Sequence, residues 1–225
     1  MKKTILTFVI MAFAIVSFAQ KPAAGNLATE ANFNLSNFND NFTLPALRFR
    51  YFVADDLAVR ADLSLSGNTA TTNFAENADG SGALGSRELK TSGFGIGLGV
   101  EKHFGGNDRF SPFALAQFSF NSNSSTETWA DYNGGGYVKD FTGSIEGGSS
   151  VIGFNLGLGA DYWINNSFYI GTELGLGLNS STTKEGSTTT NDGTNPEVKF
   201  TTPEASSFGF GQSINPAFRI GFLIN

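Results

Sequence analysis

The sequence predicts an all-β fold, an eight-stranded antiparallel up-and-down transmembrane β-barrel, on three observations. Near its end Phe208, Phe210, Ile214, Pro216, Phe218, Ile220, Phe222 and Ile224 take one parity. Ser207, Gly209, Gly211, Ser213, Asn215, Arg219 and Gly221 take the other. That is a strand apolar on one face only, and seven upstream segments repeat the pattern. The connections between segments alternate short and long. Beyond the first residues no apolar run approaches the ~20 that a spanning helix needs.

The opening residues are of a different kind. Met1, Lys2 and Lys3 precede the apolar run Ile5 to Val16, and Ser17-Phe18-Ala19 precedes Gln20. A charged start, an apolar middle and a small-x-small site form a cleavable export signal. Residues 1–19 are therefore expected to be a signal peptide, and 20–225 a single barrel domain. Removing Lys2 and Lys3 leaves 12 basic against 20 acidic residues, a formal charge of −8, which argues against a nucleic-acid partner. The chain has no cysteine, so neither disulfides nor thiolate metal sites enter its fold. Phenylalanine is 23 of 225 residues, natural for a protein whose outer surface meets lipid.

The expected strands run Leu27 to Leu35, Leu44 to Val53, Leu57 to Ser66, Leu89 to Phe104, Phe110 to Phe120, Val151 to Trp163, Phe168 to Asn179 and Ser207 to Ile224. Each is at least as long as the ~9 to 11 residues a tilted strand needs to cross hydrocarbon. Ala54-Asp55-Asp56, Gly105 to Arg109 and Asn165-Asn166-Ser167 read as tight turns. Asn37 to Thr43, Asn68 to Glu88, Asn121 to Gly148 and Ser180 to Ser206 are polar and read as long external loops, the outer-membrane arrangement. In the fifth segment Phe113 and Leu115 fall on one parity and Phe118 and Phe120 on the other, so a bulge near Ala116 or Gln117 is expected. Tyr51, Phe52, Phe104, Phe110, Tyr162, Trp163, Phe168 and Tyr169 flank the short turns, where an aromatic belt meets the headgroups.

Three segments carry glycine at every second position: Gly93 to Gly99, Gly153 to Gly159, and Gly171 to Gly177. A dinucleotide loop has the spacing G-x-G-x-x-G and opens a helix; a strict period of two does not fit it. An eight-stranded lumen is only wide enough for side chains to fill, and glycine there makes room for large neighbours. The same face carries Glu30, Arg48, Arg50, Arg60, Asp62, Glu101, His103, Asp161, Glu173 and Arg219, four arginines against five carboxylates. Charges at that depth cost several kcal/mol each unless paired. Near-balance of sign across strands therefore predicts a lumen plugged by ion pairs among Arg48, Arg50, Arg60, Asp62, Asp161, Glu173 and Arg219. Glu30, Glu101 and His103 fit the lumen or a wet rim equally. Lys102, Thr172 and Gln212 fall on the lipid parity, and two of these three are expected near a rim.

The chain resembles small bacterial outer-membrane barrels of the OmpA and OmpX transmembrane type. The resemblance rests on the export signal, the eight alternating segments, the Gly-x-Gly strands such as Gly93 to Gly99, and the closing Phe218-Arg219-Ile220-Gly221-Phe222. It implies integral residence in a bacterial outer membrane, contact with its lipid and lipopolysaccharide, insertion by the barrel-assembly machinery, and a monomer. Family members normally end on an outward aromatic residue, whereas here Leu223, Ile224 and Asn225 follow Phe222. The peptidoglycan-binding domain of the full-length type has no counterpart, so wall anchoring is not expected. For barrel-only members the resemblance implies roles in adhesion and envelope integrity.

Related barrels that act as enzymes imply a histidine near the outer rim, within reach of a nucleophile. The sole histidine, His103, precedes a short turn, so no enzyme activity is expected. No cofactor is expected, and no metal: Glu76 to Gly80 and Asn191-Asp192-Gly193 offer oxygens but lack full calcium-loop spacing. Trp129, Tyr132, Tyr137 and Phe141 are candidate contacts for a surface ligand. The rival readings are a narrow porin-like channel and a soluble lipocalin-like carrier of an apolar ligand.

Overall fold

The computed structural model describes residues 21–34 and 47–224, with the backbone alone at 32–34 and 212–218. The leader, the connection Asn37 to Thr43, Leu35, Leu44 and the side chain of Gln212 lie outside the described residues. Ten strands follow in order: β1 (Leu27–Asn34), β2 (Leu47–Ala54), β3 (Leu57–Ala75), β4 (Leu84–His103), β5 (Phe110–Tyr132), β6 (Tyr137–Trp163), β7 (Phe168–Thr183), β8 (Gly186–Asn191), β9 (Val198–Thr202) and β10 (Ala205–Ile224). All belong to one antiparallel sheet. Eight close into a ring in the order β1-β2-β3-β4-β5-β6-β7-β10, because β1 pairs with β10 and β5 with β6. β8 and β9 are additional. β6 pairs with β7 from Ser149 to Trp163 and with β8 from Thr142 to Glu146.

Alternation decides which face is which. On β2 Leu47, Phe49, Tyr51 and Val53 are exposed while Arg48, Arg50 and Phe52 are buried. On β4 Phe94, Ile96, Leu98 and Val100 are exposed while Glu101 and His103 are buried. The apolar face thus points out of the ring and the charged face in. Two of the three short turns are built by asparagine side chains. Asn107 Oδ1 accepts the N–H groups of Arg109 and Phe110 at 2.9 and 2.8 Å. Asn165 Oδ1 accepts those of Ser167 and Phe168 at 2.9 and 2.8 Å, the Asx turn that favours this residue type.

Several expectations are corrected. Among the described residues the segments Asn68 to Glu88, Asn121 to Gly148 and Ser180 to Ser206, read as long loops, are mostly strand: β3 to β6 run on past the apolar band, and at that end β3 joins β4 through Glu76 to Ala83 and β5 joins β6 through Asn133 to Gly136. Those extensions carry Thr, Ser and Asn on both faces, so no apolar alternation marks them, although β-branched threonine favours a pleated strand. The bulge expected near Ala116 or Gln117 is absent. β5 keeps an unbroken register with β4 from His103↔Phe113 to Ser86↔Ala130, with Phe113 and Leu115 buried inside and Phe118 exposed outside. Glycine explains this. Side chains placed at Gly159 and Gly157 would collide with Phe113 and Leu115 respectively, so two large residues fit on the crowded face.

The closing strand does contain a slip. Ser213 pairs with Gly175 but Ala217 with Glu173, so β10 holds two extra residues in that interval. An even insertion preserves facing, which leaves Phe208, Phe210, Phe222 and Ile224 all exposed. The aromatic belt is also only partly as expected. Tyr51, Phe104, Phe110 and Tyr162 point outward, whereas Phe52, Trp163 and Tyr169 are fully buried, because inward residues next to the turns must close the end of the ring. Lys102 sits at the short-turn rim paired with Asp56, and Thr172 is exposed between Ile170 and Leu174.

Candidate functional site

The inner face of the ring gathers charged side chains from most of its strands. Arg50 on β2 is the hub. Its NH1 donates to Glu30 at 2.9 Å, Asp161 at 2.8 Å and the Tyr169 hydroxyl at 3.2 Å, and its NH2 contacts Glu101. The same NH2 lies 3.1 Å from His103 Nε2. Arginine can only donate, so Nε2 accepts and the ring proton sits on Nδ1, donated to the Ser111 hydroxyl at 2.9 Å. Around Arg50 lie the rings of Phe52, Phe113 and Tyr169, with centroids 5.3 to 5.5 Å from its Cζ, within the range of a cation–π contact.

The other three arginines extend the network. Arg48 grips Asp62 with two bonds, Nε at 2.7 Å and NH2 at 3.1 Å, the fork geometry that strengthens such pairs. Its NH1 reaches Glu30 and Glu173 at 3.3 and 3.2 Å. Arg60 NH1 donates to Glu101 at 3.0 Å and Glu173 at 2.9 Å. Arg219 NH2 donates to Asp161 at 2.7 Å, while its NH1 lies 3.5 Å from Glu30 and 3.4 Å from Glu173 without hydrogen-bond alignment. Glu30, Glu101 and His103, which the sequence left between lumen and rim, are buried members of this cluster.

Sequence reasoning missed three neutral participants. Gln117 accepts from Arg60 NH2 and donates to Asp62, both at 2.7 Å, so β5 also contributes and all eight ring strands take part. Tyr169 donates to Glu30 at 2.6 Å, and Ser111 orients His103. Parity was the available signal: without the supposed bulge, Ser111, Phe113, Leu115 and Gln117 share one face. The network is not fully satisfied, since Nε of Arg50, Arg60 and Arg219 have no partner among the described residues, at ~1–3 kcal/mol for each buried orphan. Below it Ala28, Phe52, Ala58, Trp163, Tyr169 and Leu223 form an apolar floor at the short-turn end.

The four aromatic candidates lie in the β5–β6 hairpin rather than in a loop. Tyr132 and Tyr137 pair across its tip, and Phe74 of β3 stacks on Tyr132 at 4.1 Å. Trp129 faces Gly143 across the ladder, its ring where a side chain at that glycine would stand. Phe141 is half-buried. Near the tip Asp131 and Asp140 adopt φ of 52° and 61°, and Asp131 Oδ1 accepts the Asp140 N–H at 2.6 Å. Burial and the carboxylates of Glu76, Asp131 and Asp140 push the Tyr137 phenol up. On β4 and β5 Arg87 and Glu127 form a bidentate pair at 2.5 and 2.9 Å. The acidic turns are self-contained. Asp79 accepts from Ser81, and Asp192 from Thr194 and Asn195.

No family model matches the chain, and no curated protein matches it. Among solved structures it is similar to one titled outer membrane protease OmpT from Escherichia coli, at 8% identity and a TM-score of 0.40, over 88% of this chain and 89% of that one. The expectation of no enzyme activity is corrected by this finding and is withdrawn. A likeness at that level assigns no catalytic residue to this chain.

Proposed function

We propose that this chain is an integral β-barrel of a bacterial outer membrane, with a lumen plugged by buried ion pairs and polar hairpins that project outside as interaction elements. The observation that carries the reading is the inversion of the ring, with apolar side chains exposed on its outside and charges buried within. A soluble carrier would need the opposite arrangement, since water rarely meets so continuous an apolar surface. From Phe94 to Phe104 the exposed apolar face of β4 and its turn covers about 33 Å along a strand. At the usual strand tilt that is about 25 Å of height, the depth of an outer-membrane apolar band. Above Leu65, Phe94, Ile152 and Phe208 the outward positions become Gly67, Ser92, Ser150 and Ser206, as a water boundary requires.

On this reading residues 1–19 direct export and are removed, and the barrel-assembly machinery inserts the monomer among phospholipid and lipopolysaccharide. The hairpin bearing Trp129, Tyr132, Tyr137 and Phe141 then stands in the medium and offers aromatic surface to a partner in adhesion or envelope integrity. Labelling by a membrane-confined probe tests the orientation. Phe154→Cys, exposed on the outside of β6, is expected to label strongly and Asn155→Cys weakly. Equal or reversed labelling overturns the proposal.

A further inference from the structure

Beyond the apolar band the facing of the sheet inverts a second time, and the inversion shows across the ladder rather than along any one strand. Glu88, Thr128, Ser144, Thr189 and Lys199 lie side by side on β4, β5, β6, β8 and β9. This outer-face row is wholly polar. The adjoining rows are Leu89, Glu127, Ile145, Thr188 and Phe200 on one side of it, and Arg87, Trp129, Gly143, Thr190 and Val198 on the other. Leu89 shares the parity of buried Glu101 along β4, so both of these rows lie on the inner face. Five large apolar side chains thus share one side. Ile145, Val198 and Phe200 are 44%, 46% and 63% exposed, while Leu89 and Trp129 are half-buried. A sheet standing in water normally packs its apolar face on a core. Here that face is open.

The chemistry of the face selects its occupant. In the first inner row the apolar residues stand about 10 Å apart, two strand spacings, with Glu127 and Thr188 between them. An acyl chain would strand those oxygens against hydrocarbon. A charged ligand finds no counter-charge, because Arg87 and Glu127 hold each other through two bonds at 2.5 and 2.9 Å and the two rows carry no other ionisable side chain. What fits is a neutral molecule with apolar C–H faces at intervals and hydroxyls between them, each both donor and acceptor like the threonines that meet it. A chain of sugar rings is built that way. The Trp129 ring lies over Gly143, where a side chain would collide with it, and its Nε1 has no partner among the described residues. A buried indole N–H without an acceptor is costly, and a ligand hydroxyl reached by a small turn of the ring supplies one. From β4 to β9 the face is four strand spacings wide, about 19 Å, which is more than one sugar ring requires.

We propose that the inner face of these strand ends is a docking surface for a neutral oligosaccharide of the surrounding medium, its rings laid on Trp129, Ile145 and Phe200 and its hydroxyls on Glu127, Thr188 and Thr190. The inference names a partner class for the projecting hairpins and rests on that reading, but its test needs no membrane, so the two fail separately. Of the two tryptophans, Trp163 is fully buried in the apolar floor, so a ligand-induced change in emission reports on Trp129. The full chain, folded in micelles of a detergent without a sugar headgroup, is titrated with maltohexaose, cellohexaose, mannohexaose, hexagalacturonate and a soluble valine-rich peptide. A saturable change is expected with at least one of the neutral hexamers, and with neither the acidic hexamer nor the peptide. Phe200→Ser removes one exposed ring far from the ion-pair network. It is expected to weaken binding about tenfold, the loss of one aromatic contact, with heat-modifiable migration on a gel unchanged. Trp129→Ala, followed by calorimetry, is expected to abolish binding. Silence with all three neutral hexamers, equal or tighter binding of the acidic hexamer or the peptide, or undiminished affinity in either variant overturns the inference. Failure of the chain to partition with membranes overturns the membrane reading alone.

Discussion

At the scale of single residues, the interior turns on Arg50, whose two terminal nitrogens serve three carboxylates, a phenol and an imidazole. Four buried guanidiniums with three orphaned Nε–H groups are a costly way to fill space, and apolar residues of similar volume often do so at lower free energy. Stability alone therefore does not account for the choice. Removing one partner is another matter, because it strands charges already stripped of water. Arg50→Ala is expected to destabilise the fold by about 3–5 kcal/mol, read from urea unfolding in lipid vesicles. A change below about 1 kcal/mol would mean that water enters the cluster freely. Gly221 is the steric counterpart: the Tyr169 ring occupies the position its side chain would take, so the Tyr169–Glu30 bond depends on a residue that forms no polar contact through a side chain.

At the scale of elements, the hairpins beyond the apolar band are held by ladder bonds and by small local devices. The turn between β8 and β9 is one. Asp192 accepts the backbone N–H of Asn195 at 2.7 Å, the Asn195 amide at 2.8 Å and the Thr194 N–H at 3.0 Å, which hold its carboxyl down to about 2. The unfolded group titrates at about 3.9. A depressed native value means that the turn gains its full support above that pH and loses it as the pH falls through about 2. Carboxyl chemical shifts followed against pH are expected to place the midpoint near 2, and Asn195→Ala should raise it. The β5–β6 hairpin gives a second prediction. Ser124 faces Gly148 across the ladder, so replacing residues 125–147 with an Asn-Gly turn removes the hairpin end together with the pairings of β8 and of the end of β4 to it, and leaves the β5–β6 pairing from Ser124 down to Phe110 in place. Heat-modifiable migration on a gel, the sign of a folded closed sheet, is expected to persist, whereas binding through Trp129 and Tyr132 is expected to be lost.

At the scale of the whole molecule, the ring is closed twice, by the ion-pair network and by the apolar floor of Phe52, Trp163 and Tyr169 beneath it. Two barriers in series give a specific expectation for planar-bilayer recording. The native chain is expected to show no steady conductance, and so is Glu173→Gln, because neutralising one charge leaves the floor intact. Steady conductance in either would contradict the plugged lumen and restore the channel reading.

The alternation, the short asparagine turns and the glycine runs were legible in the linear chain, because a period of two assigns each residue to a face with no knowledge of its neighbours. Parity alone placed Arg48, Arg50, Arg60, Asp62, Asp161, Glu173 and Arg219 on one side. Three things needed the folded molecule. Strand length did, because Thr and Ser on both faces of β3 to β6 leave no amphipathic signal, and pairing with the adjacent strand alone makes them strands. The side taken by Phe113 and by Phe52, Trp163 and Tyr169 did, because large aromatics fit the crowded face only where glycine stands across the ladder or the ring needs an end. The partners of each charge did also: the bonds from Arg50 to Asp161 and from Arg60 to Glu173 cross the lumen between strands that are not neighbours, and such contacts exist only once the sheet has closed.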